Sequence, residues 1–292
     1  METTQNSTKT VLITGCSSGF GLLTTVTAAK AGFNVIATMR NLKKIDRLQK
    51  ALTDANVTAK IEKLDITNHS DIVAIVEKYP KIDILINNAG ILMGGSFLNL
   101  SDAEQRNVFE TDYFGPVAMA KAVAPLMIDR KEGMIINVAS LAGRLGHMFN
   151  SAYGSAKHAL IGFSKSIRLE LRPFNIKVIS IEPGYHKTSV IGNNAYLSEN
   201  FHDRKSPMFH YNRGFFKIMT KDVIPRAGDP QKVADKIVKI MQTDNPKPHY
   251  LIGKDARLAT ICQWLGLMPL LEKLMYKKLL RNTTRTKNKR KK

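Results

Sequence analysis

The sequence predicts an α/β protein: one doubly wound parallel sheet of about seven strands in a single domain, followed by a basic helical C-terminal extension. Two observations predict it. Short runs rich in Val and Ile, bounded by Gly, Pro, Asn or Asp, alternate with stretches whose apolar residues recur at helical spacing. Strands that alternate with helices are joined by right-handed crossovers, which gives a parallel sheet covered on both faces. The chain has 292 residues, 43% of them hydrophobic, which is ample for one such core.

In chain order, the strands are expected at Val11–Thr14, Asn34–Met39, Ala59–Leu64, Ile82–Ile86, Met134–Val138, Ile176–Ile181 and, more weakly patterned, His249–Ile252. Helical spacing marks Gly21–Ala31, Ser70–Lys78, Glu104–Asp129, Ala152–Leu171 and Gln231–Gln242 between them. Two regions break the alternation. Residues 189–227 are polar and dotted with Tyr196, Phe201, Phe209, Tyr211, Phe215 and Phe216, as in an insertion that serves as a lid. The second region runs from 257 to 292, a basic amphipathic tail set apart from the α/β domain at 1–256.

The formal net charge is +20, and part of it sits from Lys273 to the end. Such a run is usually solvated, but it can also draw a chain to anionic lipid, nucleic acid or a phosphorylated ligand. Residues 263–281 set Trp264, Leu267, Leu270, Leu271, Leu274, Met275, Leu279 and Leu280 among lysines, interrupted by Pro269. A helix of this type lies in a membrane interface or packs on its own domain or a partner subunit. Both readings stay open. No nucleic-acid module or aromatic interleaving accompanies the charge, so no nucleic-acid partner is expected. Cys16 and Cys262 cannot make a disulfide framework, Met1–Thr10 has no apolar core, and no apolar run approaches the ~20 residues of a spanning helix. A cytoplasmic location is expected, with membrane contact through the tail as its variant.

The first strand runs into Thr14-Gly15-Cys16-Ser17-Ser18-Gly19-Phe20-Gly21, and a helix follows. Glycines here permit a tight turn and let the backbone approach a pyrophosphate seated over the helix N-terminus. A structural turn is the competing reading; the position after the first strand favours a dinucleotide site. The second strand ends in Arg40, with Lys43 and Lys44 just beyond and no carboxylate in place. An acidic residue would bind the ribose 2′-hydroxyl of NAD, whereas a guanidinium suits the extra phosphate of NADP. NADP(H) is therefore preferred over NAD(H), against the alternative of a solvated Arg. Asp65, after the third strand, is placed to accept from an adenine amino group, although nearby Thr67 or Asn68 would use the same polar cluster as a helix cap. Asn87-Asn88-Ala89-Gly90 ends the fourth strand in a small, polar turn that allows close backbone approach.

The fifth strand ends at Ser140, and thirteen residues later come Tyr153 and Lys157. At i and i+4 these two share one face of a helix. A lysine ammonium beside a phenol favours phenolate, and the tuned Tyr153 can then give a proton to a carbonyl oxygen or take one from an alcohol. Ser140 would hydrogen-bond the same oxygen and help hold its developing charge. No His or carboxylate cluster has metal-ligand spacing, so no metal is expected. His147, Met148 and Phe149 are expected to line the substrate pocket, with no catalytic role for His147 or His186.

With these residues, the chain resembles the short-chain dehydrogenase/reductase family over roughly residues 9–255. Thr14-Gly15-x-x-x-Gly19-x-Gly21, Asn87-Asn88-Ala89-Gly90, Ser140, Tyr153-x-x-x-Lys157 and Pro183-Gly184 carry the likeness. It implies a Rossmann-type fold, hydride transfer from a nicotinamide, and dimers or tetramers built through the long helices. It also implies that Lys157 bonds the nicotinamide ribose and that Thr188 touches the carboxamide side. Ala37-Thr38-x-Arg40 and the basic tail look most like the 17β-hydroxysteroid and retinol dehydrogenase branch. One position departs: the family's Asn-x-x-Gly reads Asp112-Tyr113-Phe114-Gly115. The Asn usually holds a water in the proton path, so Asp112 either slows that relay or leaves it intact if backbone holds the water.

The expected function is an NADP(H)-dependent oxidoreductase interconverting a secondary alcohol and a ketone, or an alcohol and an aldehyde, on an apolar substrate. An NADP(H)-binding regulatory protein with little turnover is the alternative.

Overall fold

The structure, a computed structural model, describes residues 8–188 and 196–288, the last five by backbone alone. Residues 189–195 of the expected insertion and Lys289–Lys292 of the tail lie outside the described residues. The described strands are β1 (Thr10–Ile13), β2 (Asn34–Met39), β3 (Lys60–Lys63), β4 (Ile84–Asn87), β5 (Met93–Gly94), β6 (Gly133–Val138), β7 (Ile176–Pro183), β8 (Tyr196–Leu197) and β9 (His249–Ile252). Seven of them form one sheet in the order β3-β2-β1-β4-β6-β7-β9, every neighbouring pair parallel, while β5 and β8 pair separately. This is the doubly wound sheet the sequence predicts.

Alternation along β1 shows how the two layers are built. Val11 and Ile13 turn to the face covered by α1 (Gly19–Lys30), α2 (Asp46–Asp54) and, from later in the chain, Val233 and Ile237. Leu12 turns to the opposite face, against α3 (His69–Lys78) through Ile72 and Ile75 and against Met119 and Val123. Each fully buried aliphatic side chain contributes about 1.5–3 kcal/mol, so the two clusters hold the sheet from both sides. The strand order reverses between β1 and β4, and in such sheets a crevice opens beyond the carboxyl ends of the strands at that point.

The helix expected over Glu104–Asp129 is interrupted. A capping box of Ser101 and Glu104 starts α4 (Asp102–Phe109); a π-helical turn, Glu110–Phe114, follows, and then α5 (Gly115–Arg130). The wider turn rephases the helix and turns Asp112 inward, where it is fully buried. Gly115 sits so close to β3's following loop that a Cβ there would lie 2.6 Å from Ile66 Cδ1. Beyond β6, α6 (Ser151–Glu170) packs Phe163 and Ile167 on the sheet.

The insertion is largely helical where it is described. It contains α7 (Phe209–Ile218), with Phe209 and Ile218 buried, followed by a π-helical turn at Met219–Val223. After it come α8 (Gln231–Met241) and β9, then α9 (Lys254–Trp264) and α10 (Met268–Asn288). The boundary read at 256/257 falls inside α9. Gly266, at φ +69°, breaks the chain between the last two helices, and Pro269 falls in the first turn of α10. The tail folds back on the insertion. Leu279 of α10 clusters with Phe149 and Ile218, a Cβ on Gly214 would lie 2.7 Å from Thr283 Oγ1, and Lys278 pairs with Asp222 at 2.8 Å.

Candidate active site

The carboxyl ends of the strands open into one cleft of about 360 Å³. At the end of β1, Gly15 adopts φ +73°, a conformation that other L-residues resist, and a Cβ there would lie 2.7 Å from Ala89 Cα. The β1 and β4 loops are sewn together by Thr14, whose Oγ1 accepts from the backbone N–H groups of Asn88 (2.9 Å) and Ala89 (3.0 Å). Asn88 Nδ2 donates in turn to the Thr14 carbonyl at 2.8 Å. Gly15, Ser17, Ser18, Gly19, Ala89 and Gly90 line the cleft. Thr14, Gly21 and Asn87 stand behind it: Asn87 Nδ2 donates to Asn137 Oδ1 at 2.9 Å, and Gly21 lies against the Gly15 carbonyl. Ser18 caps α1 only by its backbone conformation, with no side-chain cap hydrogen bond. A helix N-terminus in this setting suits a phosphate oxygen.

Arg40 lines the same cleft, and so does Lys44, the basic residue expected just beyond β2, here at the end of the 3-10 turn Leu42–Lys44. Asp65 lines it too, while its Oδ1 accepts from Thr67 N (3.0 Å) and Thr67 Oγ1 (2.7 Å). The cap of α3 is Asn68, whose Oδ1 accepts from Ser70 N at 2.9 Å. Asp65 therefore shapes the turn and still faces the cleft. Pro183, Gly184 and Thr188 close the far wall, with Thr188 beside Gly19. The set fits a dinucleotide: glycines leave backbone exposed at a helix N-terminus, and two cations, Arg40 and Lys44, line the same cleft just past β2.

Ser140, Tyr153 and Lys157 meet on the floor of the cleft. Ser140 begins a single 3-10 turn and accepts from Ala142 N at 3.1 Å, which fixes its side chain. On α6, Lys157 Nζ lies 5.6 Å from the Tyr153 ring centroid. It donates to the Val138 carbonyl at 3.2 Å and pairs with Asp112 Oδ2 at 3.6 Å. Asp112 Oδ1 accepts from Ile91 N at 2.7 Å, and its other oxygen has no hydrogen-bond partner.

The electrostatics differ from the sequence expectation. Burial, and then the Asp112 carboxylate, push the Tyr153 phenol well above its ordinary range, while a hydrogen bond with Ser140 opposes them. The expected net lowering beside Lys157 does not occur, because burial dominates and the Asp112 carboxylate adds to it. Burial likewise raises the Asp112 carboxyl, against the pull of Lys157 and the Ile91 hydrogen bond.

Only one of the three expected substrate-pocket residues faces the cleft. His147 lines it, and burial holds its imidazole below the ordinary range. Phe149 instead stacks on Phe215 with ring centroids 4.8 Å apart, and Met148 packs in the same cluster under α7 and α10. The residue that the sequence reading missed is Tyr185, directly after Pro183-Gly184. Its ring meets His147 edge to face at 6.1 Å, its N–H donates to Asp255 Oδ2 at 2.7 Å, and burial pushes its phenol up to about 12. Its place one residue past a strand-end glycine was the available signal. Met219, from the insertion, also reaches the cleft wall. Among the described residues, no group of three His, Cys, Asp or Glu side chains could hold a metal.

The chain belongs to the short chain dehydrogenase family, whose pattern it matches over residues 9–196. It is 37% identical to the uncharacterized oxidoreductase YusZ of Bacillus subtilis, covering 93% of this chain and 98% of that protein. It is 34% identical to human retinol dehydrogenase 8, covering 82% of this chain and 79% of that protein. A short-chain dehydrogenase from Streptomyces avermitilis superposes with a TM-score of 0.76 at 31% identity, over 93% of this chain and 98% of that one. A variant of actinorhodin polyketide ketoreductase with NADPH superposes at 0.70 and 27% identity, over 84% of this chain and 95% of that one. The chain is thus an oxidoreductase by family, of the class that works on CH–OH groups.

Proposed function

We propose that this protein is an NADP(H)-dependent reductase/dehydrogenase interconverting an apolar ketone and its secondary alcohol, or an aldehyde and its alcohol. The observation that carries the reading is the convergence of Ser140, Tyr153 and Lys157 on the cleft floor beside the glycine loop. A bound nicotinamide would supply or take the hydride. Tyr153 gives the proton to the carbonyl oxygen in reduction and removes it in oxidation; Ser140 hydrogen-bonds that oxygen. Lys157 orients the ribose and carries charge next to the phenol. Asp112 holds Lys157 and the Ile91 backbone in place. Thr14, Gly15, Ser17, Ser18, Gly19, Gly21, Asn87, Ala89 and Gly90 form or support the phosphate cradle, Asp65 faces the adenine, and Pro183, Gly184 and Thr188 bound the nicotinamide end. Arg40 and Lys44 favour NADP(H), and the ketoreductase relative with NADPH supports that choice.

The protonated Tyr153 phenol, kept so by burial and the Asp112 carboxylate, is the form that donates its proton in reduction. We assign a homodimer or homotetramer and a cytoplasmic location, with the C-terminal helices as the part that touches a membrane. The buried Asp112–Lys157 pair also favours a second reading, an NADP(H)-binding regulator with little turnover.

The test is NADPH consumption against a panel of ketones and aldehydes, with Tyr153→Phe and Arg40→Asp as variants. The expected result is turnover that falls about 10²–10⁴-fold in Tyr153→Phe, and an NADPH preference that weakens in Arg40→Asp. Tight NADPH binding without turnover on any substrate moves the assignment to the regulator. An unchanged cofactor preference in Arg40→Asp removes the NADP assignment.

A further inference from the structure

Helix α9 carries its apolar stripe on the outside. Lys254, Arg257, Leu258, Ile261, Trp264 and Leu265 recur at the spacing of one helix face, the pattern that ordinarily turns to a core. Here Leu258, Ile261 and Leu265 are each more than half exposed, and Trp264 is 84% exposed. The inner face of α9 holds the helix on the domain through Ala256, which packs on Leu141 and Leu145. Helix α10 repeats the arrangement. Leu279 and Thr283 are buried against the insertion, while Leu270 and Leu274 are more than half exposed. The two outward stripes meet at the Gly266 turn, so the corner between α9 and α10 presents a large apolar surface. Soluble monomers rarely expose patches of that kind without a partner.

The charge around the corner selects the partner. Residues 254–292 hold twelve Lys and Arg against two acidic residues, Asp255 and Glu272, so this short segment carries half of the chain's net charge of +20. Asp255 is turned inward onto Tyr185 N, which leaves Glu272 as the acidic group on the exposed side. Lys254, Arg257, Lys273 and Lys277 are exposed beside the stripes. A two-fold interface with a second copy would set these cations against their own counterparts. An anionic lipid surface complements them, with Trp264 and the leucines entering the headgroup boundary.

We infer that the α9–α10 corner is an interfacial docking surface for anionic membrane. It lies next to the substrate end of the cleft, because Leu141 and Leu145, on which α9 packs, belong to the segment that joins Ser140 to Tyr153. On the oxidoreductase reading proposed above, the substrates are then apolar ketones or alcohols dissolved in the bilayer.

Trp264 is the chain's single tryptophan, so its fluorescence reports the corner directly. Full-length protein is mixed with phosphatidylcholine vesicles with and without phosphatidylserine. The expected result is a blue shift and co-flotation with the anionic vesicles, weakened by salt, and binding at least tenfold weaker in Leu258→Glu. NADPH binding, read by cofactor fluorescence, stays unchanged in that variant and shows that it is folded. No blue shift and no flotation of the wild-type protein would overturn the docking. So would light scattering that shows a larger assembly in the wild type and a smaller one in Leu258→Glu, since the face would then be a self-association surface. Both readouts omit substrate, so a protein that docks without turnover sinks the enzyme reading alone.

Discussion

A carboxylate sealed from water beside a lysine is pulled two ways, since burial disfavours its charge and the ammonium favours it. At Asp112 burial dominates; burial also raises the Tyr153 phenol, and the Asp112 carboxylate adds to it. A phenol so raised stays protonated through the neutral range, so oxidation, which needs the phenolate, climbs as pH rises. Reduction uses the protonated form and falls only once pH passes the raised value. Asparagine at 112 keeps an oxygen for Ile91 N and removes the charge. Asp112→Asn is therefore expected to move the alkaline limb of alcohol oxidation to lower pH and raise turnover at pH 8 about threefold to tenfold. A limb that does not move would mean Asp112 has no electrostatic hold on Tyr153. Tyr185 stays a neutral donor with its phenol at about 12, facing the cleft beside His147. Tyr185→Phe should raise KM about fivefold to twentyfold with kcat within about threefold, as for one lost hydrogen bond to bound substrate. Equal loss in kcat would place the hydroxyl in the proton path. The contrast with Ser140, Tyr153 and Lys157 is instructive. Those three were legible because a helix spacing and a strand end fix them, whereas the role of Asp112 depends on a contact across the chain to Ile91 and Lys157 that no local pattern encodes.

Among the elements, the buried strands were the easiest to read, and β2 falls on the expected residues. β-Branched runs buried on both faces leave little freedom in where a strand can lie. The edge strand β3 is different in kind: Lys60, Glu62 and Lys63 place charge along it, as edge strands need in order not to pair with other chains. The π-helical turn before α5 was invisible, because one extra residue within two helical segments barely alters their apolar spacing. The helices of the insertion were missed for another reason. α7 buries its face on α10, more than fifty residues further on, and a local window sees only half of that pairing. Removing side-chain volume there should be costly. Leu279→Ala is expected to lower stability by about 2–5 kcal/mol in urea denaturation and to weaken substrate binding, since Met219 follows α7 directly into the cleft wall. A change under about 1 kcal/mol would show that α10 rests on α7 without holding it.

For the molecule as a whole, cofactor and fold are linked through the cleft, because β1, β2, β3, β4, β6 and β7 all end in residues that line or support it. A ligand that binds only the folded state stabilises it by about 2.7 kcal/mol at a hundred times its Kd. For a domain of this size that corresponds to roughly 4–8 °C in Tm. NADPH is expected to give this shift in a thermal melt and NADH, at the same concentration, a clearly smaller one. Equal shifts would contradict the part given to Arg40 and Lys44. The packing of α10 over α7 also has a consequence for the life of the chain before it is complete. About 65 residues separate Ile218 from Thr283, and ribosomes add about 5–20 residues per second. For roughly 3 to 13 seconds of each synthesis, Ile218 and Phe149 wait with one side bare while their cover is still being translated. The nascent protein thus carries an apolar flank until α10 covers it, and a message cut short before α10 would yield a chain with all seven strands of its sheet present and that flank permanently bare.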